Sequence, residues 1–115
     1  MNEFIQAISE YLKQKDYISA ASEIIGMARF DPDMDLIQTE MYKLAEHPNH
    51  IIRGDALLAL GYVVMRFKDI NLRKAVPLIK HGLSDNDQFV RTQAINSSDM
   101  FIQYLDIDIR TYEIE

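Results

Sequence analysis

The chain contains no cysteine and no tryptophan among its 115 residues, and only three prolines and four glycines. Without cysteine it forms no disulfide and offers no thiolate ligand to a metal. No apolar run approaches the roughly 20 residues that a membrane-spanning helix needs. The first residues also lack the basic segment of a secretory signal peptide. We therefore expect a single cytoplasmic domain, long enough to bury one hydrophobic core.

Acidic residues exceed basic ones, and the excess lies at the two ends of the chain. Residues 1–46 carry 9 acidic and 4 basic side chains, residues 47–84 carry 2 and 6, and residues 85–115 carry 7 and 2, which gives a net charge of −6. Binding to a phosphate backbone requires a positive surface, so nucleic acid is not the expected ligand. A cationic protein partner is favoured, because complementary fields speed encounter. The alternative is that the charge only maintains solubility.

Two segments of the chain, 38 residues apart, follow nearly the same pattern. Residues 47–56 and 85–94 each contain a polar turn, two apolar residues, an arginine and, three positions later, an alanine. A fixed period of this length is typical of stacked two-helix units, because one such unit cannot bury its apolar face alone. Stacks of this kind expose long surfaces, which indicates a binding module.

Apolar residues recur at helical spacing through most of the chain. The pattern predicts an all-α fold of three stacked antiparallel hairpins, at about residues 2–29, 33–67 and 71–105. The helix predicted over about residues 50–67 is apolar on nearly all sides, which indicates a central position. Residues 106–115 alternate partly between apolar and polar side chains, which predicts a short extended tail docked loosely on the last hairpin.

The repeated segments resemble HEAT repeats. In that family a proline often lies in the first helix of each pair, an aspartate follows in the turn, and an aliphatic-Arg-x-x-Ala pattern opens the second helix. Pro77, Asp85 and residues 89–94 match this pattern closely. Residues 36–61 match it in the second helix only, and residues 2–29 lack the arginine.

The resemblance implies a HEAT-like α-solenoid with particular roles for the repeated residues. The signature arginine and the turn aspartate of that family bond across the turn and between neighbouring repeats. Arg53, Arg91 and Asp85 are therefore expected to be structural. Ala56 and Ala94 are expected where helices cross closely, so that a larger side chain would overpack the crossing.

No group of side chains has the spacing of a catalytic or metal site. His47 and His50 flank a turn instead of sharing a helix face. The alternating aspartates of residues 31–35 and 85–87 lack the glycine and distal glutamate of a calcium loop, so they are expected to cap helices and turns. Ser97 has no histidine nearby to activate it. The sequence predicts no enzyme, no cofactor and no metal.

In HEAT repeats the second helix of each pair lines the concave face, which implies a partner-binding surface on those helices. Tyr62 and Arg66 lie at i, i+4 and form an aromatic–guanidinium pair of the kind enriched in binding hot spots. Asn96 and Asp99 have poor helix propensity in mid-helix. The predicted partner-binding residues are Glu23, Asp55, Tyr62, Arg66, Asn96, Asp99 and Gln103. The alternative is that this face is only solvated.

Small size, acidity and a HEAT-like pattern together resemble bacterial immunity proteins, which bind and silence a toxin domain, often a basic nuclease. The resemblance implies a non-catalytic inhibitor whose acidic surface captures a basic toxin. Two alternatives stay open. One is a HEAT-like lyase or chaperone acting on a cofactor-bearing client, and the other is a scaffold subunit of a larger complex.

Overall fold

The computed structural model describes residues 2–114, which form six helices and no β-strand. The all-helical prediction is therefore confirmed. None of the helices in this range is both long enough and apolar enough to span a lipid bilayer. The helices are α1 (Glu3–Lys13), α2 (Tyr17–Phe30), α3 (Met34–Leu44), α4 (His50–Phe67), α5 (Leu72–Leu83) and α6 (Gln88–Leu105).

An asparagine or aspartate directly precedes each of these helices as its N-cap. The side-chain oxygen of the capping residue accepts a hydrogen bond from a backbone N–H of the first turn, a group that has no partner within the helix. The caps are Asn2, Asp16, Asp33, Asn49, Asn71 and Asp87. In the two aspartate runs, Asp31 and Asp85 also accept a hydrogen bond from the backbone N–H two residues later, at 2.8 and 2.9 Å. The predicted capping role of the alternating aspartates is confirmed.

Helix α4 lies at the centre of the packing, as its apolar circumference predicted. It lies between α2 and α6 and also contacts α3 and α5. Helices α1, α3 and α5 each pack on the helix that follows them. Half of the 18 residues of α4 are buried, among them Leu57, Leu60 and Val64.

Two glycines allow α4 and α6 to approach closely. A Cβ added to Gly61 would lie 3.1 Å from the Ser97 Cα and 2.6 Å from the Met100 Sδ. A Cβ added to Gly54 would lie 2.8 Å from the Phe89 ring. Gly54 and Gly61 are seven residues apart, about two turns, so both face α6 from one stripe of α4.

A third glycine lies where α5 crosses α6. A Cβ added to Gly82 would lie 3.1 Å from the Cβ of Ala94, which is itself fully buried. The prediction that Ala94 lies at a close helix crossing is confirmed.

The guanidinium of Arg53 joins the turn before α4 to the turn before α6. Its Nε and Nη2 atoms donate to the two carboxylate oxygens of Asp85 at 2.8 and 2.9 Å. Its Nη1 atom donates to the carbonyls of His47 and Pro48, each at 3.1 Å. Arg91 donates to the Asp85 carbonyl at 2.7 Å. The structural roles implied for these two arginines and for Asp85 are confirmed.

The segment after α6 turns back onto the helices. Ile109 is fully buried, and the Tyr112 N–H donates to the Asp108 carbonyl at 2.9 Å. Lys80 of α5 donates to the Tyr112 carbonyl at 2.8 Å. The predicted loosely docked, extended tail over residues 106–115 is not confirmed: residues 109–111 form a turn, and the buried Ile109 anchors the segment. Residue 115 lies outside the described residues.

Candidate functional site

A groove of about 790 Å³ lies between α2, the first half of α4 and the start of α6. We call it the α2–α4 groove. Its α2 wall is one stripe of the helix, because the lining residues there recur at i, i+4, i+7 and i+11. The residues that define the groove are Ile18, Ser22, Ile25 and Arg29 on α2, Ile51 and Asp55 on α4, and Phe89 on α6.

Small side chains on α2 leave the space open. Ala21, Ser22 and Gly26 all line the α2–α4 groove. A Cβ at Gly26 would lie 3.2 Å from the Phe4 ring, so α1 packs tightly behind this part of α2. Within Tyr17–Phe30 the small residues lie in the middle of the groove side, and the larger Ile18 and Phe30 lie at its two ends.

Large apolar side chains around the α2–α4 groove are open to solvent. Ile18 is 69 % exposed, Phe30 is 67 % exposed and Phe89 is 38 % exposed. Single exposed apolar residues are ordinary on protein surfaces, but a cluster around one concavity marks a binding surface.

Asp55 is the acidic residue among the described residues that line the α2–α4 groove. It is half-buried, and its Oδ1 atom accepts a hydrogen bond from the Gln93 side chain at 2.7 Å. Asn96 in turn donates to the side-chain Oε1 atom of Gln93 at 3.1 Å. No ion pair within residues 2–114 involves this carboxylate. Burial raises the pKa of Asp55, and the hydrogen bond from Gln93 opposes that rise.

Two basic groups also line the α2–α4 groove, and they differ in their contacts. The Arg29 guanidinium lies 5.2 Å from the centroid of the Phe30 ring. The His50 Nδ1 atom lies 3.4 Å from a carboxylate oxygen of Asp87. Asp55 and Arg29 are thus the two charged groups of the groove that have no ion pair among the described residues.

The predicted residues on α2 and α4 occupy different environments. Asp55 lines the α2–α4 groove, whereas Glu23 is half-buried outside it. Tyr62 packs partly against the core. Arg66 donates to the Ala28 carbonyl at 2.8 Å, and its guanidinium lies 4.6 Å from the Phe67 ring. Through this hydrogen bond Arg66 joins α4 to α2.

The predicted residues on α6 are all exposed. Asn96 belongs to the hydrogen-bonded chain that reaches Asp55 through Gln93. Asp99 and Gln103 lie farther along α6 and do not line the α2–α4 groove. The structure therefore connects Asp55 with Asn96 and leaves the other predicted residues outside this connection.

Sequence reasoning missed the apolar part of the site. Ile18, Phe30 and Phe89 are absent from the partner-binding residues predicted from the sequence. A signal was present in α2, since Ile18 and Ile25 are seven residues apart and form an apolar stripe beside the core stripe.

The chain matches no protein-family model, no curated protein and no solved structure. Within residues 2–114, no group of three or more histidine, aspartate or glutamate side chains is arranged to hold a metal ion.

Replacing Asp55 with asparagine should stabilise the fold at neutral pH by up to about 1 kcal/mol. The folded-state pKa is raised, so ionisation of Asp55 costs stability above that pKa. The gain should disappear as the pH falls through the folded-state pKa towards the ordinary value of 3.8. Asparagine keeps an acceptor for Gln93.

Urea unfolding of wild type and Asp55→Asn at pH 7 and pH 4 measures this difference. Asp99→Asn, which changes an exposed residue of α6, is the control and should leave the free energy of unfolding unchanged at both pH values. A loss of stability in Asp55→Asn, or an equal gain at both pH values, would contradict the expectation.

Proposed function

We propose that this chain is a non-catalytic protein-binding module and that its partner binds in the α2–α4 groove. The observation that carries the proposal is the exposure of Ile18, Phe30 and Phe89 around one concavity. Covering these side chains removes apolar area from water, which favours association by about 25 cal/mol per Å² before the costs of binding. The half-buried Asp55 beside them costs stability, as functional residues often do.

The proposed architecture is a HEAT-like solenoid of three hairpins, in which α2, α4 and α6 form the concave face. The near-repeat over residues 47–56 and 85–94 supports it. The arginine–aspartate bond between the turns before α4 and α6 supports it as well. In this architecture all three helices that line the α2–α4 groove belong to the concave face.

The proposed partner is basic, and the proposed activity is inhibition of a basic toxin domain. The net charge of −6 supports a cationic partner through long-range steering. The unpaired carboxylate of Asp55 supports it at contact distance.

A small apolar ligand is the second candidate. The volume of about 790 Å³ lies within the range of small-molecule sites, roughly 300–1,000 Å³. In that case the chain would act as the HEAT-like lyase or chaperone that is the alternative to an inhibitor.

The test is capture of partners on the tagged chain, with a series of increasing salt washes. The variant Ser22→Trp fills the α2–α4 groove, and Thr39→Trp places the same side chain on the exposed face of α3. We expect one stoichiometric protein that is released by salt, is retained by Thr39→Trp and binds Ser22→Trp on the order of 100-fold more weakly. Expressed alone it should be toxic, and co-expression of wild type should relieve the toxicity.

Other outcomes separate the candidates. A partner retained equally by Ser22→Trp would place the interface elsewhere on the molecule. The absence of a protein partner, together with a rise in melting temperature on adding an apolar compound, would favour the small-molecule function.

A further inference from the structure

The α2–α4 groove has the length of a short helix. Its α2 wall extends from Ile18 to Arg29, which at 1.5 Å per residue is about 16 Å or three helical turns. Ile18 and Ile25 present apolar contacts along this wall, and Phe89 and Ile51 present them from the other two helices. An amphipathic helix matches such a groove, because its apolar side chains recur on one face at i, i+4 and i+7.

The charge of the groove defines what that helix must carry. Gln93 occupies Oδ1 of Asp55, while Oδ2 accepts no hydrogen bond from the described residues. A purely apolar occupant would bury this carboxylate without a cation beside it, which disfavours binding. Lysine and arginine can lay an aliphatic stem along apolar walls and still deliver a cation to the carboxylate.

The other charges near the groove limit where the cation can lie. Arg29 would repel a cation placed against it, and so would His50 when protonated. The favourable position for a cation in the groove is therefore the one that faces Asp55. A second copy of this chain is a poor occupant, because both copies carry a net charge of −6.

We infer that the α2–α4 groove binds an amphipathic helix of the partner, with one lysine or arginine against Asp55 and apolar side chains against Ile18, Ile25 and Phe89. This inference rests on the proposed function, since it names the segment that enters the proposed site.

A display library of short helical peptides, randomised on one face, tests the inference without the natural partner. Selection uses the immobilised full chain, with counter-selection on Ser22→Trp to remove peptides that bind elsewhere. The enriched peptides should carry large apolar residues at helical spacing and lysine or arginine at one fixed position between them. Replacing that cation with glutamine should weaken binding to wild type about tenfold.

The same peptide pair is then measured on two variants. On Asp55→Asn the tenfold preference for the cation should fall to less than about twofold, because the carboxylate is gone. On Asp99→Asn, which changes an exposed carboxylate outside the groove, the preference should stay tenfold.

Three results would overturn the inference. These are enriched peptides with no preference for a cation, a preference that persists on Asp55→Asn, and the absence of any peptide that distinguishes wild type from Ser22→Trp. Loss of the captured natural partner on Ser22→Trp would leave the proposed function standing in each case. Retention of that partner on Ser22→Trp would instead refute the proposed site itself.

Discussion

Gly61→Val should lower the free energy of unfolding by about 3 kcal/mol, the upper part of the range for overpacked cores. The first carbon of any side chain at this position lies 3.1 Å from the Ser97 Cα, and backbone atoms of α6 cannot move aside as a side chain can. Valine adds two further carbons, so α4 and α6 must separate. Chemical denaturation, with the midpoint and slope compared with wild type, measures the loss.

Valine has a higher helix propensity than glycine but a lower one than methionine, so propensity does not explain a loss in Gly61→Val and a valine placed elsewhere in α4 gives an upper bound on it. Met65→Val places the same residue in α4 at a half-buried position and should cost less than about 1 kcal/mol. If Gly61→Val lowered the free energy of unfolding no more than Met65→Val does, the close approach of α4 and α6 would not depend on the glycine.

Arg53→Met should cost about 3 kcal/mol at pH 7, because it removes hydrogen bonds to a carboxylate and to two backbone carbonyls. It also leaves Asp85, whose side chain is only 9 % exposed, without its cation. The melting temperature should fall by more than about 10 °C.

The loss in Arg53→Met should depend on pH in a defined direction. The hydrogen bond from Arg53 lowers the pKa of Asp85 in the folded state, so protonation of Asp85 favours the unfolded chain. The stabilisation is present above the ordinary pKa of 3.8 and is lost as the pH falls through the lowered folded-state value. The difference between wild type and Arg53→Met should therefore be smaller at pH 3 than at pH 7.

Arg66→Met is the matched control for this pH dependence. Arg66 donates to a neutral backbone carbonyl, so its removal should cost less and by a similar amount at both pH values. A loss in Arg53→Met that is as large at pH 3 as at pH 7 would show that the ion pair with Asp85 contributes little.

The helical fold could be predicted from local patterns of the sequence. The apolar period of 3.6 residues defines helices, and Asn or Asp side chains start them by satisfying free N–H groups. The aspartates of residues 31–35 and 85–87 are predicted to cap on this basis, and Asp33 and Asp87 are the N-caps of α3 and α6. Arg53 and Asp85 were recognised through the repeat, although their contact joins residues 32 positions apart.

The site was less predictable, because exposure depends on how helices diverge. Phe89 occupies a position that reads as core from spacing alone, yet the start of α6 lies beside an open groove. The helix face of Asp55 is predicted from the sequence. That its carboxylate has no ion pair can be determined only from the positions of the surrounding charged side chains. Gly54 and Gly61 show the same limit, because their spacing acquires meaning only once α6 is known to lie opposite.

The unequal packing of the helices bears on how widely the α2–α4 groove can open. Helix α4 contacts four other helices, whereas α1 packs chiefly on α2. Segments with fewer buried contacts open locally at lower free energy than the global core. The α2 wall is therefore backed by the least constrained helix, while the α4 wall belongs to the most constrained one. We therefore expect the groove to adapt to its proposed occupant through shifts of α1 against α2, while Asp55 on α4 keeps its position.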